Sequence, residues 1–290
     1  MKKHWSCNWI SIILLPVILL TLLDISCAPK SEVTGKISIV VTILPQVEFV
    51  QSVGGEKVDA IVMVPPGQDP HTYAPTPSQL AAVKQAKMYA MMGSGVEFEL
   101  AHMDRIEAAN KHMLLIDCSK GIDLIHNDPH TWLSPRNAKI IVENICDGLI
   151  KVDPTNEEYY VNKKYEYLLK LDKLDKEIEA TLNQVQGTIT NRYFMVLHPA
   201  WGYFARDYGL EQIAIHIEGK NPSAQDIVNL VQKAKEHNIK VVFTEPQFDT
   251  RSASTIAKAI GGTVVCIDPL AKDYIDNMYR VLDALVKGMH

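Results

Sequence analysis

From residue 37 onward the chain alternates short β-branched and apolar runs with longer segments whose apolar positions recur every three or four residues. The short runs predict strands at Ile37–Ile43, Val58–Val64, Met88–Met92 and Met113–Asp117, then at Tyr193–Leu197, Gln212–Ile217, Lys240–Thr244 and Thr263–Ile267. Helical spacing falls between them at Gln46–Val53, Pro77–Lys87, Phe98–Ala109 and Arg136–Val152, then at Ala200–Tyr208, Ser223–His237, Arg251–Ile260 and Tyr274–Lys287. Pro77 and Pro135 suit the first turn of a helix, where a missing N–H costs nothing. Strand and helix in alternation point to parallel sheets covered by helices on both faces. Because the rhythm occurs twice, the expected fold class is α/β with two lobes, each a parallel sheet with flanking helices.

Between the two halves, Asn156 to Gln186 contains neither Gly nor Pro, and Val161, Tyr165, Leu168, Leu171, Leu174, Ile178, Leu182 and Val185 recur at helical spacing. One helix of about thirty residues would run about 45 Å, long enough to span both lobes as a stiff connector. The domain plan is therefore an N-terminal lobe at 36–152, a linking backbone helix at 153–188 and a C-terminal lobe at 189–290. The same spacing also fits a coiled-coil dimer, but packing along the two lobes explains it equally, and a monomer is expected.

The first residues follow a different logic. Lys2 and Lys3 precede an apolar run from Trp9 to Leu23 that is short for a bilayer span and has the shape of a secretory signal, so 1–26 is read as a signal peptide and 27–35 as a tether. Ser26 before Cys27 resembles the lipobox of a bacterial lipoprotein, in which the cysteine becomes the lipidated first residue and contacts the membrane. Asp24 departs from that motif, and an ordinary signal peptide or an uncleaved anchor is the alternative. In each case the protein is exported, to the periplasm or the outer face of the cytoplasmic membrane.

Composition narrows the function. The 290 residues are 47% hydrophobic and 22% charged, as in a folded globular protein. The formal charge is −5, and losing Lys2, Lys3 and Asp24 with the leader takes it to −6, a poor balance for binding nucleic acid. Cys118, Cys146 and Cys266 form no CxxC pair and read as small buried hydrophobes, with one disulfide among them as the alternative.

In open α/β sheets, ligands collect at the carboxyl ends of the strands, so polar residues just after the predicted strands matter most. His71 follows Val58–Val64 through a proline-rich loop, His130 follows the fourth strand, His198 follows Leu197 and Asp268 follows Ile267. Two of them sit in nearly the same tetrapeptide, Asp69-Pro70-His71-Thr72 and Asp128-Pro129-His130-Thr131, in which proline stiffens the loop carrying the imidazole. Pro199 after His198 suits the first turn of the next helix. Three imidazoles and one carboxylate make a ligand set for Zn²⁺, whereas Ca²⁺ and Mg²⁺ prefer all-oxygen coordination and Mn²⁺ fits less well. His4, His102, His112, His237 and His290 read as surface or hydrogen-bonded residues. His126 reads as an exposed loop residue with an auxiliary ligand role as the alternative, and His216 as a strand residue facing away from Ile213, Ile215 and Ile217, with a contribution to the site as the alternative.

With these residues in place, the chain resembles the metal-binding substrate-binding proteins of bacterial ABC transporters, the zinc and manganese group called cluster A-I, over essentially all of its mature length. The resemblance is carried by Pro70 to Gln79 (PHTYAPTPSQ), Asp128 to Pro135 (DPHTWLSP), His198 to Ala205 (HPAWGYFA), Ile217 to Ser223 (IEGKNPS) and Glu245 to Phe248 (EPQF). It implies metal held between the lobes by His71, His130, His198 and Asp268, and delivery to a membrane permease. Manganese members usually carry Glu at the third position, so His198 favours zinc, with Mn²⁺ or Fe²⁺ as alternatives. Many zinc members carry a His-rich acidic loop before the second histidine, whereas Gly121 to Asp128 holds only His126. Glu245 is read either as an acceptor orienting a ligand imidazole or as an organiser of its own loop.

Two other classes stand against this reading. A zinc hydrolase normally keeps one open coordination position and a nearby general base, but four candidate ligands close the set and no HExxH or GxSxG is present, so no enzyme is expected. A surface adhesin is the third class: metal-dependent association with permease-bearing membranes would favour transport, whereas metal-independent attachment to host components would favour adhesion.

Overall fold

The computed structural model describes Met1 and residues 35–185, 192–216 and 221–289. Residues 2–34, which hold the expected signal peptide, Cys27 and nearly all of the expected tether, lie outside the described residues. The first half runs β1 Ile37–Val41, α1 Pro45–Gly54, β2 Val58–Val62, α2 Pro77–Val83, β3 Met88–Met91, α3 Glu97–Ala109, β4 Leu114–Asp117 and α4 Pro135–Val152. After α5 Glu157–Val185 the second half runs β5 Tyr193–Val196, α6 Gly202–Tyr208, β6 Glu211–Ala214, α7 Ala224–Glu236, β7 Val241–Thr244, α8 Arg251–Ala259, β8 Thr263–Cys266 and α9 Tyr274–Met289. The strands form two parallel sheets of identical order, β2-β1-β3-β4 and β6-β5-β7-β8. This is the α/β architecture expected from the alternating pattern, one sheet in each lobe.

Burial explains the strands. Ile39, Val40 and Val41 are all fully buried, as expected of a central parallel strand covered on both faces. In the second sheet the pleat sorts alternate residues: Phe194 and Val196 enter a core continuous with the first lobe, while Met195 and Leu197 enter a smaller core under α7 and α8. Pro77 and Pro135 stand at the first helical position behind Thr76 and Ser134, whose hydroxyls accept backbone N–H groups of the first turn.

Helix α5 packs against α1 and α4 of one lobe and α6 and α9 of the other. Its inward face is Tyr160, Tyr167, Leu171, Leu174, Ile178 and Leu182, with Leu168 partly buried against the same core, so of the expected stripe Val161 and Tyr165 are the described positions that face out. Val161 and Tyr165 are exposed because Tyr160 and Tyr167 take the buried side, where Tyr167 donates to Glu48 on α1 at 2.6 Å. The other Glu48 oxygen accepts the backbone N–H of Tyr274 at the start of α9, and the Phe49 and Tyr274 rings meet edge to face at 4.9 Å. Further polar contacts cross between the lobes: Trp132 Nε1 donates to the Pro269 carbonyl at 2.8 Å, and Ser134 pairs with Asp207. Asp175, midway along α5, accepts from Arg136 on α4 and Tyr208 on α6 at 3.0 and 2.8 Å.

Some boundaries differ from expectation for local reasons. Helix α2 stops at Val83, not Lys87, because the chain tightens into i, i+3 bonds and the Lys87 N–H then donates to the Ser38 carbonyl within β1. Helix α6 begins at Gly202, so Pro199 is not in its first turn; Ala200 bonds back to His198, and the N–H of Trp201 goes to Gln212. Strand β6 ends at Ala214, leaving His216 in a bend beyond it, although its N–H still reaches the Leu197 carbonyl. Cys118, Cys146 and Cys266 are all free, which removes the disulfide alternative, and Cys266 is exposed on edge strand β8. Among the described residues no helix is long and apolar enough to cross a membrane.

The α5 packing makes a contrast that denaturant melts can check. Leu174→Ala should destabilise the metal-free protein by about 2–5 kcal/mol, the range for truncating a fully buried leucine. Tyr165→Ser, on the exposed side, should stay within about 0.5 kcal/mol.

Candidate metal centre

Three loops at the carboxyl ends of the sheets supply the imidazoles. The loop after β2 is tied down by Gln79, which accepts from the Tyr73 hydroxyl and the Thr76 N–H, both at 2.9 Å, and donates to the Met63 carbonyl at 2.6 Å. Within it the Asp69 carboxylate accepts the His71 N–H at 2.9 Å, so the Asp-Pro-His unit turns back on itself. The second Asp-Pro-His unit repeats this: Asp128 Oδ1 accepts the His130 N–H at 3.0 Å. The next residues lock it, since Asn137 on α4 donates to the Thr131 carbonyl at 3.1 Å and Trp132 is anchored on Pro269. His198 comes two residues after β5 and is fixed by burial, 7% exposed with Phe248 at 5.0 Å between ring centres.

The three rings converge. His198 Nε2 lies 3.2 Å from His71 Nε2 and 3.2 Å from His130 Nε2, and one nitrogen from each ring falls within 4.8 Å of the others. Zinc–nitrogen bonds of about 2.0 to 2.1 Å in a tetrahedron place neighbouring nitrogens about 3.3 to 3.4 Å apart, so the observed spacing is close to that of ligands on one ion.

The proton arrangement argues the same way. His71 Nδ1 meets Glu97 Oε2 at 2.9 Å, and His130 Nδ1 meets Asp128 Oδ1 at 2.8 Å. A carboxylate at Nδ1 draws the ring proton there and leaves Nε2 as a lone pair. Two lone pairs therefore flank His198 Nε2, which as a donor can serve only one of them. A cation at the centre satisfies all three.

Protonation is biased by the same groups. Burial opposes charge on His71, but the hydrogen bond and charge of Glu97, with that of Asp69, outweigh it and raise its pKa above the ordinary value. Glu97 is held below the usual carboxylate range, since His71 outweighs its own partial burial. His198 is pushed down to about 2 by burial and by its histidine neighbours, so it stays neutral. Behind it Glu245, 1% exposed, is pushed up to about 8 by burial, and neither of its oxygens makes a hydrogen bond among the described residues. The nearby backbone N–H groups of His198 and Glu245 favour its charged form without reaching hydrogen-bond geometry.

Asp268 does not join the three imidazoles. Its Oδ1 accepts from Gln247 Nε2 at 3.0 Å and from the Leu270 N–H at 2.9 Å, and both of these donors belong to residues that line the cavity. His216 is buried and lines an adjoining cavity that also borders His71, His130 and His198, but lies outside the triad. His126 is exposed, and His102 Nε2 contacts the Tyr73 carbonyl at 3.2 Å. Glu97 has no motif to announce it; only its place at the start of α3 shows its role. Asp128 sits in the repeated tetrapeptide, which signalled a stiff loop and not a carboxylate for the ring.

The α/β architecture and the converging imidazole triad together define a protein built to hold one divalent transition-metal ion between two lobes. Comparison with known proteins agrees: the family model for ZnuA, the periplasmic zinc-uptake complex component A, matches residues 39–288. The chain belongs to this family. It is 31% identical over 281 residues to the high-affinity zinc uptake system protein ZnuA of Bacillus subtilis strain 168, covering 86% of each chain. A crystal structure of ZnuA superposes with a TM-score of 0.83 at 39% identity over 88% of this chain and all of that one. The Zn(II)-bound ZnuA-like domain of Streptococcus pneumoniae AdcA superposes with a TM-score of 0.75 at 28% identity over 88% of this chain and 99% of that domain.

The carboxylate pairing can be checked by NMR titration without metal. The His71 ring should titrate above 6.5, and Glu97→Gln should move its midpoint to lower pH because the raising charge is gone. His198 should show no titration between pH 5 and 8, as expected for a group held near 2.

Proposed function

We propose that this protein captures Zn²⁺ outside the cytoplasm with His71, His130 and His198 and delivers it to the permease of an ABC transporter. The observation that carries this reading is the pair of 3.2 Å Nε2 contacts around His198, with carboxylates behind the other two rings. Three imidazole nitrogens suit zinc better than manganese or calcium. Membership in a zinc-uptake family supports the same cargo, and capture and release involve no chemical transformation, so the chain is a binding component and not an enzyme.

Asp268 is proposed as the fourth ligand. Its hydrogen-bond partners Gln247 and Leu270 line the cavity beside the rings, and coordination would require its carboxylate to leave them. Lipidation of Cys27 after removal of 1–26 would keep a monomeric carrier beside the permease. In this reading 36–152 and 189–290 are the lobes and 153–188 the link between them. The polar contacts between lobes and the single long connector favour small lobe movements over a wide hinge swing.

Zinc at about a thousand times its dissociation constant should stabilise the native state by about 4 kcal/mol, read as a rise in Tm. His71→Ala, His130→Ala and His198→Ala should each remove most of that rise, and Asp268→Ala a smaller part. Undiminished zinc-induced shifts in all three histidine variants would mean the ion sits elsewhere. Competition titrations of zinc against manganese should rank zinc first; a preference for manganese would overturn the cargo.

A further inference from the structure

Of the two rings backed by a carboxylate, His71 is served from its own lobe, by Glu97 on α3. His130 is served differently. Its partner Asp128 lies on the loop after β4, and that loop is held by α6 of the other lobe. The Tyr203 hydroxyl sits between two atoms of the loop, accepting the Ile125 N–H at 2.9 Å and donating to the Asp128 carbonyl at 3.0 Å. Arg206, one turn further along α6, lies over the Tyr203 ring and donates to the Asp123 carbonyl at 2.9 Å. Tyr203 is fully buried, so its hydroxyl has these loop atoms and not water as partners.

Gly202 makes the contact closer still. A Cβ placed there would lie 2.3 Å from Asp128 Oδ2, nearer than side-chain atoms tolerate, so the carboxylate rests against the glycine backbone. The other oxygen, Oδ1, is the one that faces both the N–H and Nδ1 of His130. The aim of the His130 ring is thus set by a carboxylate whose main chain is gripped by Tyr203 and whose side chain is confined by Gly202, both on the second lobe. Separating the lobes releases that carboxylate even if His130 itself stays in place.

We propose that Gly202 and Tyr203 are positioning residues for His130 and make zinc affinity depend on how the lobes are seated. The inference rests on the reading of His130 as a zinc ligand. It gives the protein a route to release: a transporter that moves α6 from the 125–128 loop weakens the site without touching the ion.

The test is a set of zinc titrations against a competing chelator, with wild type, Tyr203→Phe, Gly202→Ala, Asp128→Asn, Glu97→Gln and His130→Ala. Tyr203→Phe and Gly202→Ala should each weaken zinc binding by about tenfold, the low end for losing support behind a ligand. Tyr203→Phe should add no further loss on top of Asp128→Asn, because both act through the same carboxylate, yet keep its full effect on top of Glu97→Gln. The visible absorption of the cobalt(II)-loaded protein should shift alike in Tyr203→Phe and Asp128→Asn, a change that mere loosening of the fold does not produce. Wild-type affinity in Tyr203→Phe, or the same loss whether or not Asp128 is replaced, would overturn the proposal. Normal zinc binding by His130→Ala would instead remove the ligand assignment beneath it.

Discussion

Three imidazole lone pairs aimed at one point oppose each other, and much of the surrounding structure serves to hold them there. Two of the rings are kept in register by carboxylates that draw the proton to Nδ1, Glu97 for His71 and Asp128 for His130. The third is kept neutral by burial, which drives the His198 pKa down to about 2. Neither device works in a loose loop. Each Asp-Pro-His unit is therefore closed by its own aspartate on the histidine N–H, and each is tied to the next helix, by Gln79 in one case and Asn137 in the other. The prolines contribute stiffness, and the side-chain hydrogen bonds contribute direction.

The fold explains why the rings meet at all. Two sheets with the same strand order present their carboxyl ends to one cleft, so residues distant in sequence become neighbours there. Helix α5 then fixes the spacing of the lobes, buried through Leu171, Leu174 and Ile178 and held at its middle by Asp175. Glu48 performs a similar task at the other end, receiving Tyr167 from the connector and the Tyr274 N–H from α9. These are directional contacts between elements that also share a continuous apolar core, so lobe separation costs both burial and hydrogen bonds.

Much of this was legible in the residues. The period-2 and period-3.6 runs marked all eight strands and all nine helices among the described residues, because parallel sheets buried on both faces and amphipathic helices leave strong patterns. His71, His130 and His198 could be singled out by their place after strands. What was not legible depended on contacts between distant segments. Val161 and Tyr165 fit the helical stripe of α5, but Tyr160 and Tyr167 face inward instead, where their hydroxyls reach Asp153 and Glu48. Glu97 has nothing local to mark it, since its role follows from where the start of α3 meets the loop of His71. Asp268, expected as a ligand, is absent from the imidazole cluster: Gln247 and the Leu270 N–H hold one of its carboxylate oxygens, a contest that sequence spacing does not record.

The distribution of charge supplies the last step. A dication among three neutral imidazoles gains its ligands' lone pairs but no opposing charge from them. The carboxylates of Glu97 and Asp128 provide that charge through the rings, one bond network away from the ion, so two negative groups face a doubly positive guest without competing for coordination. Burial pushes the Glu245 pKa up to about 8 in the metal-free protein, which disfavours a further negative charge behind His198. The balance favours a divalent ion over a monovalent one, and the nitrogen donors then favour zinc among the divalent ions. The two pairs are also unequally placed: His130 and Asp128 are about one-tenth exposed, whereas His71 and Glu97 are 27% and 47% exposed. Water and protons reach the His71 side first, and the His130 side stays screened behind the contact with the second lobe.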